Sequence, residues 1–173
     1  IYDQIGDIDN IKGLFDLVIG NVQSGKTKVI MSHCVKIIEK KMIAVVIIRD
    51  SIADASQLKS NINKFNIEQG LKGTELELKA FELDKSNPSK ILPKYNTIIV
   101  KGNVTRLKNI TDLMYKKKDE YNFCLCIDEV DLLTGIKGRV IELFINLLCL
   151  EPFHTLGLTA TPMAVIMDIR TWK

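Results

Sequence analysis

Apolar positions in this chain fall into short unbroken runs and into helical faces, and the two textures take turns along the sequence. Residues 14–19 (L-F-D-L-V-I) read as a buried strand. Residues 26–41 read as a helix, with Val29, Ile30, His33 and Ile37 at helical spacing. Residues 42–48 (M-I-A-V-V-I-I) are apolar throughout, and a strand without polar alternation is covered on both faces, as in the middle of a parallel sheet. Ser51-Ile52-Ala53-Asp54 resembles a capping box, and Ile52, Ala55, Leu58, Ile62 and Phe65 continue on one helical face. Before all of these, Ile5, Ile8 and Ile11 suit one face of a short helix over residues 1–12, ended by Gly13.

The second half repeats the alternation. Residues 70–73 form a turn, residues 75–81 alternate polar and apolar as a half-exposed strand would, and residues 84–93, with two prolines, read as loop. Residues 97–100 are a short apolar strand. Val104, Leu107, Ile110, Leu113 and Met114 mark the buried face of a helix, with Lys116, Lys117 and Lys118 at its C-terminal end, where cations complement the helix dipole. Residues 123–127 are a buried strand, residues 139–150 an apolar helix, and residues 155–158 a last strand. Strand and helix alternating in this way predict an α/β fold, a three-layer sandwich with a mostly parallel central sheet and right-handed crossovers.

Composition changes this picture little. The 173 residues suit one domain, residues 1–173, and 46% hydrophobic with 26% charged residues are ordinary globular values. No apolar run approaches the ~20 residues of a membrane span, and there is no signal peptide, so the expectation is a soluble intracellular protein. A net charge of +3 permits contact with nucleic acid without demanding it. Cys34, Cys124, Cys126 and Cys149 have no second C-x-C or histidine pair to complete a metal site, and read as small core residues in a reducing compartment. His33 and His154 show no partner pattern and read as structural. The chain begins at Ile1 rather than Met, which predicts an excised or processed segment.

Chemistry is concentrated at strand ends. After the first strand come Gly20, Asn21, Val22, Gln23, Ser24, Gly25, Lys26 and Thr27, a complete G-x-x-x-x-G-K-T. The glycines let successive backbone N–H groups converge on a phosphate, the following helix adds its positive end, Lys26 reaches the β- and γ-phosphates, and the Thr27 hydroxyl ligates Mg²⁺. Asp128 and Glu129 close the strand at residues 123–127, on the edge of an open α/β sheet where ligands bind. Two adjacent carboxylates there divide labour, Asp128 holding Mg²⁺ and Glu129 deprotonating the water that attacks the γ-phosphate.

G-N-V-Q-S-G-K-T, D-E-V-D and T-A-T-P, in this order, resemble motifs I, II and III of superfamily-two (DEAD-like) helicases and translocases. The resemblance covers nearly the whole chain as the first of two RecA-like P-loop NTPase domains. It implies ATP as the nucleotide, Mg²⁺ as the ion, and DNA or RNA as a partner contacted through its backbone. It further implies adenine recognition by Tyr2 and Gln4, phosphate contacts by Arg49 and Arg106, and coupling of hydrolysis to domain movement by Thr159 and Thr161. The family's P-T-R-E-L is absent around Arg49, and V-K-G-N-V-T-R-L around Arg106 is one residue longer than the family's motif and lacks its proline. V-Q-S-G-K-T and the Met163-Ala164-Val165 that follow T-A-T-P are also similar to Z-one type ATPase domains. No second RecA-like domain, with its arginine finger, follows Lys173, so the chain by itself is expected to bind nucleotide and hydrolyse it poorly. A nucleotide-dependent switch or signalling module is the alternative. It lacks support, because there is no guanine-reading N-K-x-D and T-A-T-P has no role in it. A small-molecule kinase is disfavoured for want of a lid.

Overall fold

Six strands form one sheet in the computed structural model, which describes residues 14–20, 25–84, 90–92, 94–130 and 139–160. In chain order the elements are β1 (Leu14–Ile19), α1 (Lys26–Glu39), β2 (Ile43–Ile48), α2 (Ile52–Glu68), β3 (Ala80–Glu82), β4 (Thr97–Lys101), α3 (Val104–Lys117), β5 (Phe123–Ile127), α4 (Arg139–Leu148) and β6 (His154–Thr159). The strand order is β1-β6-β5-β2-β4-β3, and every neighbouring pair is parallel. The helix expected over residues 1–12 lies outside the described residues, as does most of the loop at 84–93.

Strand β2 shows why the apolar run is unbroken. Its residues are buried without exception, but they face two different cores. Ala44, Val46 and Ile48 pack with α1 and α2, whereas Ile43, Val45 and Ile47 pack with α3 and α4. Each such side chain removed from water contributes roughly 1.5–3 kcal/mol, so a charge at Val46 would break the central layer. The result is a helix–sheet–helix sandwich whose strand C-terminal ends share one edge, and among the described residues no helix is long and apolar enough to cross a membrane.

Three expectations need correction. Residues 75–79 do not extend as a strand, and only Ala80–Glu82 join the ladder. Two asparagine side chains take the place of a strand partner there: buried Asn66 donates to the Leu78 carbonyl and accepts from its N–H (3.0 and 3.1 Å), and Asn96 accepts from the Lys79 N–H and donates to the Glu77 carbonyl (both 2.9 Å). Ile52 is 75% exposed, because the first turn of α2 stands at the sheet edge, ahead of the turns whose Ala55, Leu58, Ile62 and Phe65 are buried. Cys149 is exposed while the other three cysteines are buried. It follows Ile145 by one helical turn, on the side of α4 opposite buried Phe144 and Leu147.

Candidate functional site

Strand β1 delivers the chain to the site edge. The Gly20 N–H donates to the Thr159 carbonyl at 3.0 Å, so the start of the phosphate-loop sequence is tied to the end of β6. Gly25 caps α1 with φ 81°, in the left-handed region where a Cβ is strained. Its carbonyl accepts from the N–H groups of Lys28 and Val29 (2.9 and 3.2 Å). The first turn of α1 carries no acidic residue and no side-chain cap. Among the described residues, therefore, no side-chain cap or first-turn carboxylate competes with an anion for its remaining amides and the positive end of the helix dipole. Lys26 and Thr27 sit in that turn, half-buried.

Asp128 and Glu129 are held rigidly at the end of β5. The Asp128 N–H donates to the Ile47 carbonyl at 2.9 Å, which carries the ladder one residue past the strand. Glu129 then turns with φ 52°, a left-handed conformation costing a non-glycine residue on the order of 1–3 kcal/mol. Val130 anchors the turn from the other side, fully buried. It can approach because position 157 is glycine: a Cβ there would stand 3.2 Å from Val130 Cγ1 and from Phe15 Cζ.

These segments meet at a cleft of about 210 Å³ lined by Thr27, Arg49, Asp54, Asp128 and Glu129. Burial and the neighbouring Glu129 carboxylate push Asp128 above the usual carboxylate range, and Lys26 pulls it back. The structure thus brings the loop lysine and the strand-end carboxylates into one electrostatic environment. A Thr27 hydroxyl and the Asp128 carboxylate are hard oxygen donors of the type Mg²⁺ prefers. A cation beside Asp128 would stabilise a charge that its surroundings now disfavour, so the residues present fit the ion.

Arg49 and Arg106 have different settings. Arg49 belongs to the cleft just described, where its Nε and Nη2 both lie 2.8 Å from Asp54 Oδ2. Arg106 lies in the first turn of α3, along a hollow of about 440 Å³ lined by Asp50, Asn103, Val104, Thr105 and Val140. Its Nε and Nη1 are shielded from solvent without a hydrogen-bond partner among the described residues. Asn103 caps α3 through the Arg106 N–H (3.0 Å) and donates to Asp50 Oδ1 (2.8 Å), which joins the ends of β2 and β4. Asp54 and Asn103 were missed as site residues by sequence reasoning. The capping box at Ser51, whose Oγ accepts from the Asp54 N–H at 3.2 Å, was the available signal for the first.

Thr159 is buried at the end of β6. Tyr2, Gln4, Asn21, Val22, Gln23, Ser24 and Thr161 lie outside the described residues. His33 and His154, read as partnerless from the sequence, are in fact partners, with Nε2 of the first 3.1 Å from Nδ1 of the second.

The family model for DEAD/DEAH box helicases matches residues 8–169. A hypothetical ATP-dependent RNA helicase from Sulfolobus tokodaii has 18% identity and a TM-score of 0.60, covering 92% of this chain and 46% of its own. The UvsW helicase from bacteriophage T4 has 12% identity and a TM-score of 0.57, with 92% and 52% covered. A KaiC-like protein from Pyrococcus horikoshii has 17% identity and a TM-score of 0.53, with 87% and 64% covered. At such identities these likenesses show the fold, a RecA-like one. The chain spans about half the length of the two helicases. No curated protein matches it.

Proposed function

From the premise that the chain belongs to the DEAD/DEAH box helicase family, whose model matches residues 8–169, we propose that it is the ATP-hydrolysing motor domain of a nucleic-acid helicase or translocase. The observation that carries the reading is the shared cleft. Thr27 from the first turn of α1 and Asp128 and Glu129 from the end of β5 line it together, with Lys26 acting on Asp128.

The residues divide the work as follows. Amides at the start of α1 and the Lys26 ammonium bind the β- and γ-phosphates and hold the terminal phosphorus against the β5 edge. Thr27 and Asp128 would hold Mg²⁺, which when bound offsets phosphate charge. Glu129, fixed by its left-handed turn, orients a water and takes its proton. Tyr2 and Gln4 are assigned to adenine. Thr159, tied through its carbonyl to Gly20, and Thr161 link the phosphate loop to the domain surface. A second RecA-like domain would complete the site from outside.

For the nucleic acid we assign the Arg106 hollow. A half-buried guanidinium whose Nε and Nη1 have no partner among the described residues is incompletely satisfied until an acceptor arrives, and a backbone phosphate is the acceptor that fits its charge and fork. ATPase activity of the protein at its natural length, measured with and without single-stranded and duplex DNA and RNA, tests the reading. Stimulation by at least one is expected. ATP hydrolysis indifferent to all four, with no salt-dependent binding to any, would favour a switch module.

A further inference from the structure

Arg49 is the cation in the nucleotide cleft that the roles above leave unused. It follows the end of β2 and lines the same cleft as Thr27, Asp54 on α2, and Asp128 and Glu129 at the end of β5. Asp54 engages Nε and Nη2. Among the described residues no hydrogen bond holds the Nη1 amino group. The charged form of Arg49 is favoured first by the bond to Asp54, and further by Glu129 and Asp128. A nucleic-acid phosphate placed here would face Asp54, Asp128 and Glu129 together. A nucleotide's terminal phosphate would arrive with Lys26 beside it.

We propose that Arg49, oriented by Asp54, is a catalytic cation that this domain itself supplies to the terminal phosphate of the bound nucleotide. The inference rests on the nucleotide half of the reading above and is independent of the nucleic-acid half. In the step concerned, a water oxygen forms a bond to the γ-phosphorus as the bond from that phosphorus to the β–γ bridging oxygen breaks. ADP leaves with the bonding pair, one proton of the water passes to Glu129, and the products are ADP and inorganic phosphate. Charge gathers on the oxygens of the transferring group as it moves. A guanidinium held by Asp54 in the same cleft would stabilise that charge. Asp54 acts through Arg49 and is a positioning residue. Its bond takes away much of the rotamer freedom that a side chain 56% exposed would otherwise have.

The test compares affinity for ADP with affinity for ADP plus aluminium fluoride, a mimic of the transferring phosphoryl group. It is made by calorimetry with Mg²⁺ and no nucleic acid, on the protein at its natural length. The unaltered protein should bind the mimic on the order of 100-fold more tightly than ADP. Arg49→Ala should remove most of that gain, leave ADP affinity within about twofold, and leave the melting temperature unchanged. Arg49→Lys should restore part of the gain, and Asp54→Asn should lose part of it. Arg49→Ala that keeps the whole gain overturns the proposal. So does Arg49→Ala that weakens oligonucleotide binding alone, or one that lowers ADP affinity and the melt together, since the role is then nucleic-acid contact or structure. Failure of the nucleotide reading looks different, because the unaltered protein would then show no gain at all.

Discussion

His33 on α1 and His154 on β6 meet in the core with Nε2 of the first 3.1 Å from Nδ1 of the second, and His154 Nε2 lies 3.2 Å from Asp16 Oδ2 on β1. Two neutral rings satisfy both contacts if each carries its proton on Nε2, so that His33 donates to His154 and His154 donates to the carboxylate. A second proton on His154 would fall on Nδ1, the acceptor of the first bond, and set two donors against each other.

The pH dependence of stability follows. Burial, helped by His154 and Lys36 and opposed by Asp16, lowers His33 to about 3 from an ordinary value of 6.5. His154 is lowered too, first by burial and against the pull of Asp16. In the window between the folded and unfolded values the unfolded chain binds more protons, so stability is complete above pH 6.5 and is lost as pH falls toward 3. His33 alone should cost about 2 kcal/mol between pH 7.5 and pH 5. Urea unfolding at these two pH values should show the loss, and His33→Gln should flatten the dependence. An unchanged slope in the variant would contradict it.

Asn66 should be a stability residue of unusual weight. Its side chain satisfies both backbone groups of Leu78 from a position only 3% exposed. Asn66→Ala leaves two polar backbone groups unpaired and should cost about 2–4 kcal/mol by chemical denaturation. A cost under about 1 kcal/mol would mean that other groups replace it.

The same residue shows where the sequence was legible and where it was not. Strands β2 and β5 were readable because burial on both faces leaves an unbroken apolar run. The residue 75–81 stretch misled because Leu78 is buried, as a strand residue would be, while its hydrogen bonds go to the Asn66 side chain on α2 and those of Lys79 N–H and the Glu77 carbonyl go to Asn96, the residue before β4. Lys26, Thr27, Asp128 and Glu129 were legible because phosphate chemistry demands fixed residue types at fixed spacing. The pairing of His33 with His154 spans 121 positions and leaves no periodic trace. The Arg49–Asp54 pair is local but shows only once the β2–α2 turn has a shape.

Arg106→Ala should separate binding from folding. Two of its nitrogens are shielded without a partner among the described residues, so its loss should change stability by no more than about 0.5 kcal/mol. Affinity for single-stranded oligonucleotides should fall equally across sequences, and the slope of log affinity against log salt should shrink by about one. Undiminished binding over a salt series would remove the hollow from the interface.

Lys26→Ala should abolish binding of ATP with Mg²⁺ while leaving the melting temperature in place. Lys26 is a half-buried residue in the first turn of α1 and takes no part in either core cluster. Calorimetric titration beside a thermal melt would check both halves. Full affinity in the variant would exclude the α1 terminus as the phosphate site.

The most direct measurement is steady-state ATP turnover by Glu129→Gln, beside equilibrium ATP binding by the same variant, in the protein at its natural length. Glutamine keeps the shape of the turn but cannot take the water's proton, so turnover should fall by roughly 10²–10⁴-fold while ATP and Mg²⁺ stay bound. Asp128→Asn should differ by weakening Mg²⁺-dependent binding as well. Turnover at the unaltered rate by Glu129→Gln would contradict the assignment of this cleft as the hydrolytic site.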